Sequence, residues 1–261
     1  MPTEFEIITC ADAQFYDILR VFERNIHSVM GRYPVVFDLG LTNDQKKQIK
    51  SPLVSIEVAQ GYNLVNADGF IRTIHKPTAI GHVLNSGRPC LYLDADMLLT
   101  EPILARDFQG ADLAVTPRHP NELARDNLQK NGEINAGFLY FSGSDCARAM
   151  LDRWHDLCAT TDFSDQRAMS HLLKGWSLER IGVRQHRGGL SVVALDPRVF
   201  NDTGRRTGKV LHFKNLGRRS RKRREWLQWA WCIRLLPKLV RALVRARRSR
   251  LKAAPQSKVH T

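Results

Sequence analysis

The chain has 261 residues, 43% hydrophobic and 25% charged, a balance that excludes a disordered polymer and allows one large α/β domain with a sizeable core. Its net charge of +14 is unevenly placed: residues 218–252 hold 14 Lys or Arg against one acid, Glu225, while residues 1–217 carry 25 bases and 25 acids. A neutral body with a cationic tail argues against a protein whose whole surface binds nucleic acid.

In chain order, "FEIIT" (5–9) reads as a buried strand. Asp12 can cap the helix that follows, in which Phe15, Ile18, Leu19, Phe22 and Ile26 recur at helical spacing. "YPVVFDLG" (33–40) is a second strand, and Thr42 with Gln45 has the spacing of a capping box for a short helix. "PLVSIEVA" is a third strand, "KPTAIGHVLNSG" a helix with Pro77 in its first turn and Gly87 as its stop, and "CLYLD" a fourth strand. This alternation over the first 94 residues predicts a mostly parallel sheet covered by helices. "ADLAVTP", "INAGFLYFS" and "KVLHFKN" are further strands, and "SDCARAMLDRWHDLCAT" and "SDQRAMSHLLKG" are further helices. Residues 1–217 read as one domain and 218–261 as a tail.

The five cysteines show no C-x-x-C pair and no zinc spacing, so they are expected as free thiols in a cytoplasmic protein. The opening "MPTEFEIITCAD" has acids where a secretory leader needs bases, and no stretch approaches the roughly 18 apolar residues of a membrane span.

The stretch "LYLDADMLL" carries the main chemical signal. Asp94 and Asp96 stand at the carboxyl end of a predicted strand, where open α/β sheets bind ligands. Residues i and i+2 of a strand point the same way, so both carboxylates can reach one ion. Paired oxygen ligands suit Mg²⁺ or Mn²⁺ shared with phosphates, whereas a solvated loop after a strand is the plain alternative. Further on, Asn135, Ala136 and Gly137 form a small-residue entrance to an apolar strand, where a ligand can approach the backbone. Asp165 and Gln166 open a helix, and His212 lies inside a short apolar run. Each of these is weak alone, since acids favour helix starts and isolated histidines are common in cores.

Taken in order, "IITCADAQFY", "HKPTAI", "LYLDADML", "NAGFLYF", "DQRAM" and "VLHFKNLGR" resemble the GT-A fold glycosyltransferases, most closely glycosyltransferase family 8 and related nucleotide-diphospho-sugar transferases. The resemblance covers about residues 4–218 and implies an α/β fold with a mixed, Rossmann-like sheet flanked by helices. It implies that Cys10, Asp12, Gln14 and Phe15 hold the nucleotide base, with Phe15 where the family often has tyrosine, and that Lys76 lies near the donor. Asp94 and Asp96 match the metal and ribose-diphosphate motif, and His212 matches the third metal ligand. Asn135, Ala136 and Gly137 match the turn beside the donor sugar, and Asp165 and Gln166 match the pair beside the reacting carbon. The family's G-x-x-K-P-W segment is replaced by "HFKNLGRR", so Lys214 or Arg218 stands in for the lysine that grips the diphosphate.

The implied activity is transfer of a hexose from a nucleotide-sugar, with UDP the expected nucleotide, Mn²⁺ or Mg²⁺ the expected cofactor and retention of configuration expected from the relatives. The acceptor is expected to be a glycan or a lipid-linked sugar, as in lipopolysaccharide or surface-polysaccharide assembly. In the tail, Arg234, Lys238, Arg241, Arg245, Arg248 and Lys252 form a basic helical face, and Trp229, Ile233, Leu236, Val240 and Leu243 an apolar one. With Trp226 and Trp231 nearby, this predicts peripheral attachment to an anionic, cytoplasmic membrane face, with Pro237 kinking the segment or starting a second helix. A solvated helix packed on the body and a nucleic-acid arm are the alternatives for the tail. A D-x-D phosphatase fits poorly because Leu98 stands where Thr or Val is usual, and a nucleotidyltransferase fits poorly because no glycine-rich phosphate loop is found.

Overall fold

A computed structural model describes residues 5–57, 74–118, 122, 132–160, 163–214, 216 and 220–253. Its centre is an eight-stranded mixed sheet built from β1 (Glu6–Ala11), β2 (Val35–Asp38), β3 (Leu53–Ser55), β4 (Cys90–Leu93), β6 (Leu113–Pro117), β7 (Ile134–Phe141), β8 (Arg184–Arg187) and β9 (Leu190–Ala194). The strand order is β3-β2-β1-β4-β7-β6-β9-β8. The first four strands are mutually parallel, β7 runs antiparallel between β4 and β6, and β6 pairs parallel with β9. Reversing β7 brings its amino end, with Asn135–Gly137, to the same sheet edge as the carboxyl ends of β1, β4, β6 and β9. A small second sheet pairs β5 (Met97–Leu99) antiparallel with β10 (Val210–His212), setting His212 opposite Met97.

One face of the large sheet is covered by α1 (Tyr16–Met30), whose Ile18, Leu19, Phe22, Ile26 and Val29 are buried at helical spacing. Gly31 ends that helix in the left-handed conformation, φ 75°, and returns its N–H to the His27 carbonyl. The short α2 (Asn43–Gln48) begins at the expected capping box of Thr42 and Gln45. The other face is covered by α3 (His75–Leu84), α4 (Asp145–Thr160) and α5 (Asp165–Leu172), around Ile80, Leu84, Leu151, Trp154 and Met169. A single turn, α6 (Pro197–Phe200), follows β9.

The tail forms two helices, α7 (Ser220–Leu235) and α8, which begins at Pro237 (Pro237–Ala253). Its expected apolar face is split. Ile233 and Val240 join Trp226 and Val244 in the core on the α1 side of the sheet, while Leu236 and Leu243 are exposed. The physical reason is that α7 and α8 have a body on one side only, so residues of both flanks of a broad apolar surface meet different surroundings. Body acids fix the helices: Arg223 pairs with Asp17 at 2.8 Å, and Arg245 and Arg248 reach Glu101 at 3.0 and 3.1 Å. No described helix is long and apolar enough to cross a membrane.

The β8–β9 hairpin was not expected from the sequence. Strand β8 is the polar stretch RQHR on the sheet edge, which has no apolar periodicity to reveal it.

Candidate active site

Strand β4 ends at Leu93, and Asp94–Asp96 lie in the turn that leads to β5. The expected strand geometry therefore does not place the two carboxylates; the turn does, with Met97 N–H bonded to the Asp94 carbonyl. Asp94 is held to β7 through its own N–H, 2.8 Å from the Gly137 carbonyl. Glycine at 137 leaves room for these side chains, because a Cβ would come within 2.5 Å of Asp94 Oδ2 and 2.9 Å of Asn135 Oδ1 and something would have to shift. The Asn135 side chain accepts the Gly137 N–H at 2.8 Å, which closes the small-residue turn on itself.

Two charged groups converge on this turn. In the first, the buried Lys76 ammonium lies 3.0 Å from Asp94 Oδ1 and 2.7 Å from Asp165 Oδ2, and 3.4 Å from the Ala136 carbonyl. Burial opposes its charge, but Asp165 and Asp94 outweigh that cost and raise its pKa well above the usual lysine value. Lys76 thereby ties the start of α5 to the end of β4. Burial, with Asp94 adding to it, pushes the neighbouring Tyr92 phenol up, and its hydroxyl donates to Asp94 at 3.2 Å. In the second group, Lys214 lies 2.9 Å and Arg118 3.5 Å from Glu122, and Arg118 also donates to Gln166 Oε1 at 3.3 Å. Burial opposes the Glu122 charge, yet Lys214, His212 and Arg118 hold its carboxyl below the usual range.

Asp94, Asp96 and His212 each offer a ligand atom, and these atoms all lie within 4.8 Å of one another. His212 Nδ1 faces Asn201 Oδ1 at 2.7 Å, both buried, so Nδ1 carries the proton that this oxygen accepts. Nε2 then carries no proton and lies 3.2 Å from Asp96 Oδ1, an oxygen shielded from solvent that accepts no hydrogen bond. A bare ring nitrogen and an unbonded carboxylate oxygen this close in a buried place are stabilised by a shared cation, so the donor set fits a divalent metal.

At the first strand, Asp12 accepts the N–H groups of Gln14 and Phe15 at 2.9 and 3.1 Å, capping a single 3₁₀ turn. This leaves the Phe15 ring 44% exposed, as a stacking surface needs to be. Cys10 is buried beside α3, its thiol directed at the His75 carbonyl, and burial raises its pKa strongly. It is therefore a packing residue of the strand rather than a nucleophile. Arg218 lies outside the described residues.

Arg118, Glu122 and Asn201 went unread in the sequence. A signal for Arg118 existed: it directly follows β6, whose carboxyl end shares the active edge once β6 is known to be parallel to β4. Asn201 likewise lies just beyond β9, across α6.

The model of the nucleotide-diphospho-sugar transferase family matches residues 57–239. No curated protein matches the sequence. Among solved structures, the chain is similar to the galactosyltransferase LgtC in complex with donor and acceptor sugar analogues, with a TM-score of 0.54 and 16% identity over 91% of this chain and 99% of that one. It is also similar to the glycosyltransferase GlyE of Streptococcus pneumoniae TIGR4, with a TM-score of 0.54 and 13% identity over 95% of this chain and 64% of that one. A third similar structure is a glycosyltransferase involved in glycosylation of the major capsid of PBCV-1, with a TM-score of 0.50 and 13% identity over 86% of this chain and all of that one. The fold is thus of the GT-A type. The family model spans more than half of the sequence, and the chain belongs to the nucleotide-diphospho-sugar transferase family, as a glycosyltransferase.

Proposed function

We propose that this chain moves a hexose from a UDP-sugar to a glycan or lipid-linked acceptor, with retention of configuration, at the cytoplasmic face of a membrane. The observation that carries the donor site is the convergence of Asp94, Asp96 and His212 within 4.8 Å, beside the Asp94–Lys76–Asp165 cluster. A divalent cation held by those three residues, Mn²⁺ or Mg²⁺, would supply Lewis-acid stabilisation of the diphosphate leaving group.

The chain's own residues divide the remaining work. The loop from Asp12 to Phe15 receives the base, with Gln14 and Phe15 exposed beside the capping aspartate. Lys214 follows the metal ligand His212 of β10 by two residues, and transferring its charge from Glu122 to the diphosphate places it where negative charge develops. Asn135, Ala136 and Gly137 allow the sugar to lie against backbone. Asp165 and Gln166 orient the donor sugar and stabilise its oxocarbenium-like character, Asp165 held by Lys76 and Gln166 by Arg118.

Thermal stability with and without Mn²⁺ and a panel of nucleotide-sugars tests the donor site, because a ligand of the native state raises the melting temperature. A Mn²⁺-dependent rise with UDP or a UDP-sugar, lost in Asp96→Ala, is expected. A rise that persists unchanged in Asp96→Ala would remove Asp96 from the metal site.

Membrane attachment is supported by the outward side of α7 and α8, where Leu227, Trp231, Leu235, Leu239 and Leu243 recur every four residues and stay exposed. Basic side chains flank that stripe, and an exposed indole between cations suits the lipid–water boundary.

A further inference from the structure

A second concentration of positive charge lies away from the donor site. A cavity of about 400 Å³ is lined by Arg24, His27 and Ser28 of α1, Tyr33, Lys50 just after α2, and Arg234 of α7. No acid lines it. Among the described residues, the side chains of Arg24, Lys50 and Arg234 have neither an ion pair nor a hydrogen bond. That differs from Arg223, Arg245 and Arg248 of the tail, each of which meets a carboxylate of the body.

The local structure keeps the cavity cationic. Glu23, adjacent to Arg24 in sequence, is buried and committed to the N–H groups of Lys50 and Ser51 and to the Ser51 hydroxyl, at 3.0, 3.1 and 3.0 Å. It therefore fixes the chain that carries Lys50 without neutralising it. His27 stacks on Tyr33 at 4.3 Å across the turn at Gly31, forming an aromatic wall. Three cations converging without an acid repel one another, and an anion relieves that cost. Two guanidiniums, an ammonium and the Ser28 and Tyr33 hydroxyls line the same cavity, and all are donors of the kind that phosphate oxygens accept from. Arg234 also stands beside the exposed Leu235 and one turn from the exposed Trp231, 63% accessible, so the cavity opens next to the apolar stripe.

We propose that this cavity is a phosphate-binding site that takes the phosphomonoester headgroup of an anionic lipid. The ligand class follows from the cavity itself; only the choice of a lipid as its source rests on the membrane reading above.

The experiment uses the full chain, phosphatidylcholine vesicles with and without phosphatidic acid, and soluble glycerol 3-phosphate. Wild type is compared with the triple variant Arg24→Gln, Lys50→Gln, Arg234→Gln and with a charge-matched control, Lys238→Gln, Arg247→Gln, Arg250→Gln, all exposed positions. The pocket triple is expected to lose at least about tenfold more affinity for phosphatidic acid vesicles than the control, since each basic group near a surface contributes appreciably. Glycerol 3-phosphate is expected to bind wild type and the control but not the pocket triple. Equal losses in the two triples, or no loss in either, would overturn the site in favour of diffuse attraction. Binding of glycerol 3-phosphate that is lost in the pocket triple, with no vesicle binding by wild type, would uphold the phosphate site and overturn the lipid source together with the membrane reading. Vesicle binding retained in full by the pocket triple would uphold the membrane reading and overturn the cavity as the place that takes the headgroup.

Discussion

Gly137 and Lys76 are positions where a single substitution acts directly on the site. Gly137→Ala puts a methyl against Asp94 Oδ2 and Asn135 Oδ1, closest to the carboxylate that belongs to the metal cluster, so the expected shift falls on Asp94. Activity is expected to fall by about two orders of magnitude, as misplacement of about 1 Å does elsewhere, while the melting temperature shifts modestly. Kinetics and calorimetry on the same preparation check both halves. Lys76→Met leaves Asp94 and Asp165 facing each other without their shared cation, and breaking such a buried pair costs about 3–5 kcal/mol. Chemical denaturation would read that loss, and a loss below about 1 kcal/mol would mean the cluster is solvated. The aspartate pair was legible because D-x-D at a strand end has a physical meaning. Glu122 was not, since a lone acid outside any periodic pattern gives no sign that Lys214 and Arg118 will close on it.

Among the elements, α7 and α8 differ most from their expected role, because one side of them belongs to the core. Trp226 is 1% exposed and Trp231 63%, five residues apart in the same helix. Trp226→Ala is expected to destabilise the fold by about 3–5 kcal/mol, whereas Trp231→Ala should leave stability within about 0.5 kcal/mol and weaken only vesicle binding. Comparing urea midpoints with vesicle co-sedimentation separates the two, and equal destabilisation would mean that Trp231 is also packed. Removing the tail outright would expose core residues and confound any membrane assay. The helices themselves were readable from periodicity and from Pro237. Their orientation was not, because a helix apolar on two sides gives one pattern for two surroundings. The antiparallel placement of β7 was equally hidden: a strand buried on both faces reads alike in either direction.

For the molecule as a whole, the uneven charge was visible from composition, while its consequences depend on which cations the body neutralises. Acid stability follows from groups in and around the site. Burial, with Lys76 beside it, lowers the His75 pKa to about 3, far below the ordinary histidine value of 6.5. The unfolded chain therefore takes up this proton first, and the stability contributed by neutral His75 is complete above pH 6.5 and lost progressively as the pH falls toward 3. Glu122, with a depressed pKa, adds a loss of the same sign below the carboxylate range. Denaturation midpoints measured from pH 7 to pH 4 are expected to decline, and His75→Gln should flatten that slope; an unchanged slope would exclude His75 as its source.

The pairing of β5 with β10 also bears on how the protein reaches its native state. Asp94 and Asp96 lie in the first half of the sequence, while His212 arrives only after β6, β7, β8 and β9 have been laid down. The metal-binding set is thus a contact of high sequence separation, assembled late by a chain that must first close its longest loops. Folding of this protein is expected to proceed at a rate indifferent to divalent cation, whereas its unfolding slows when the cation is present.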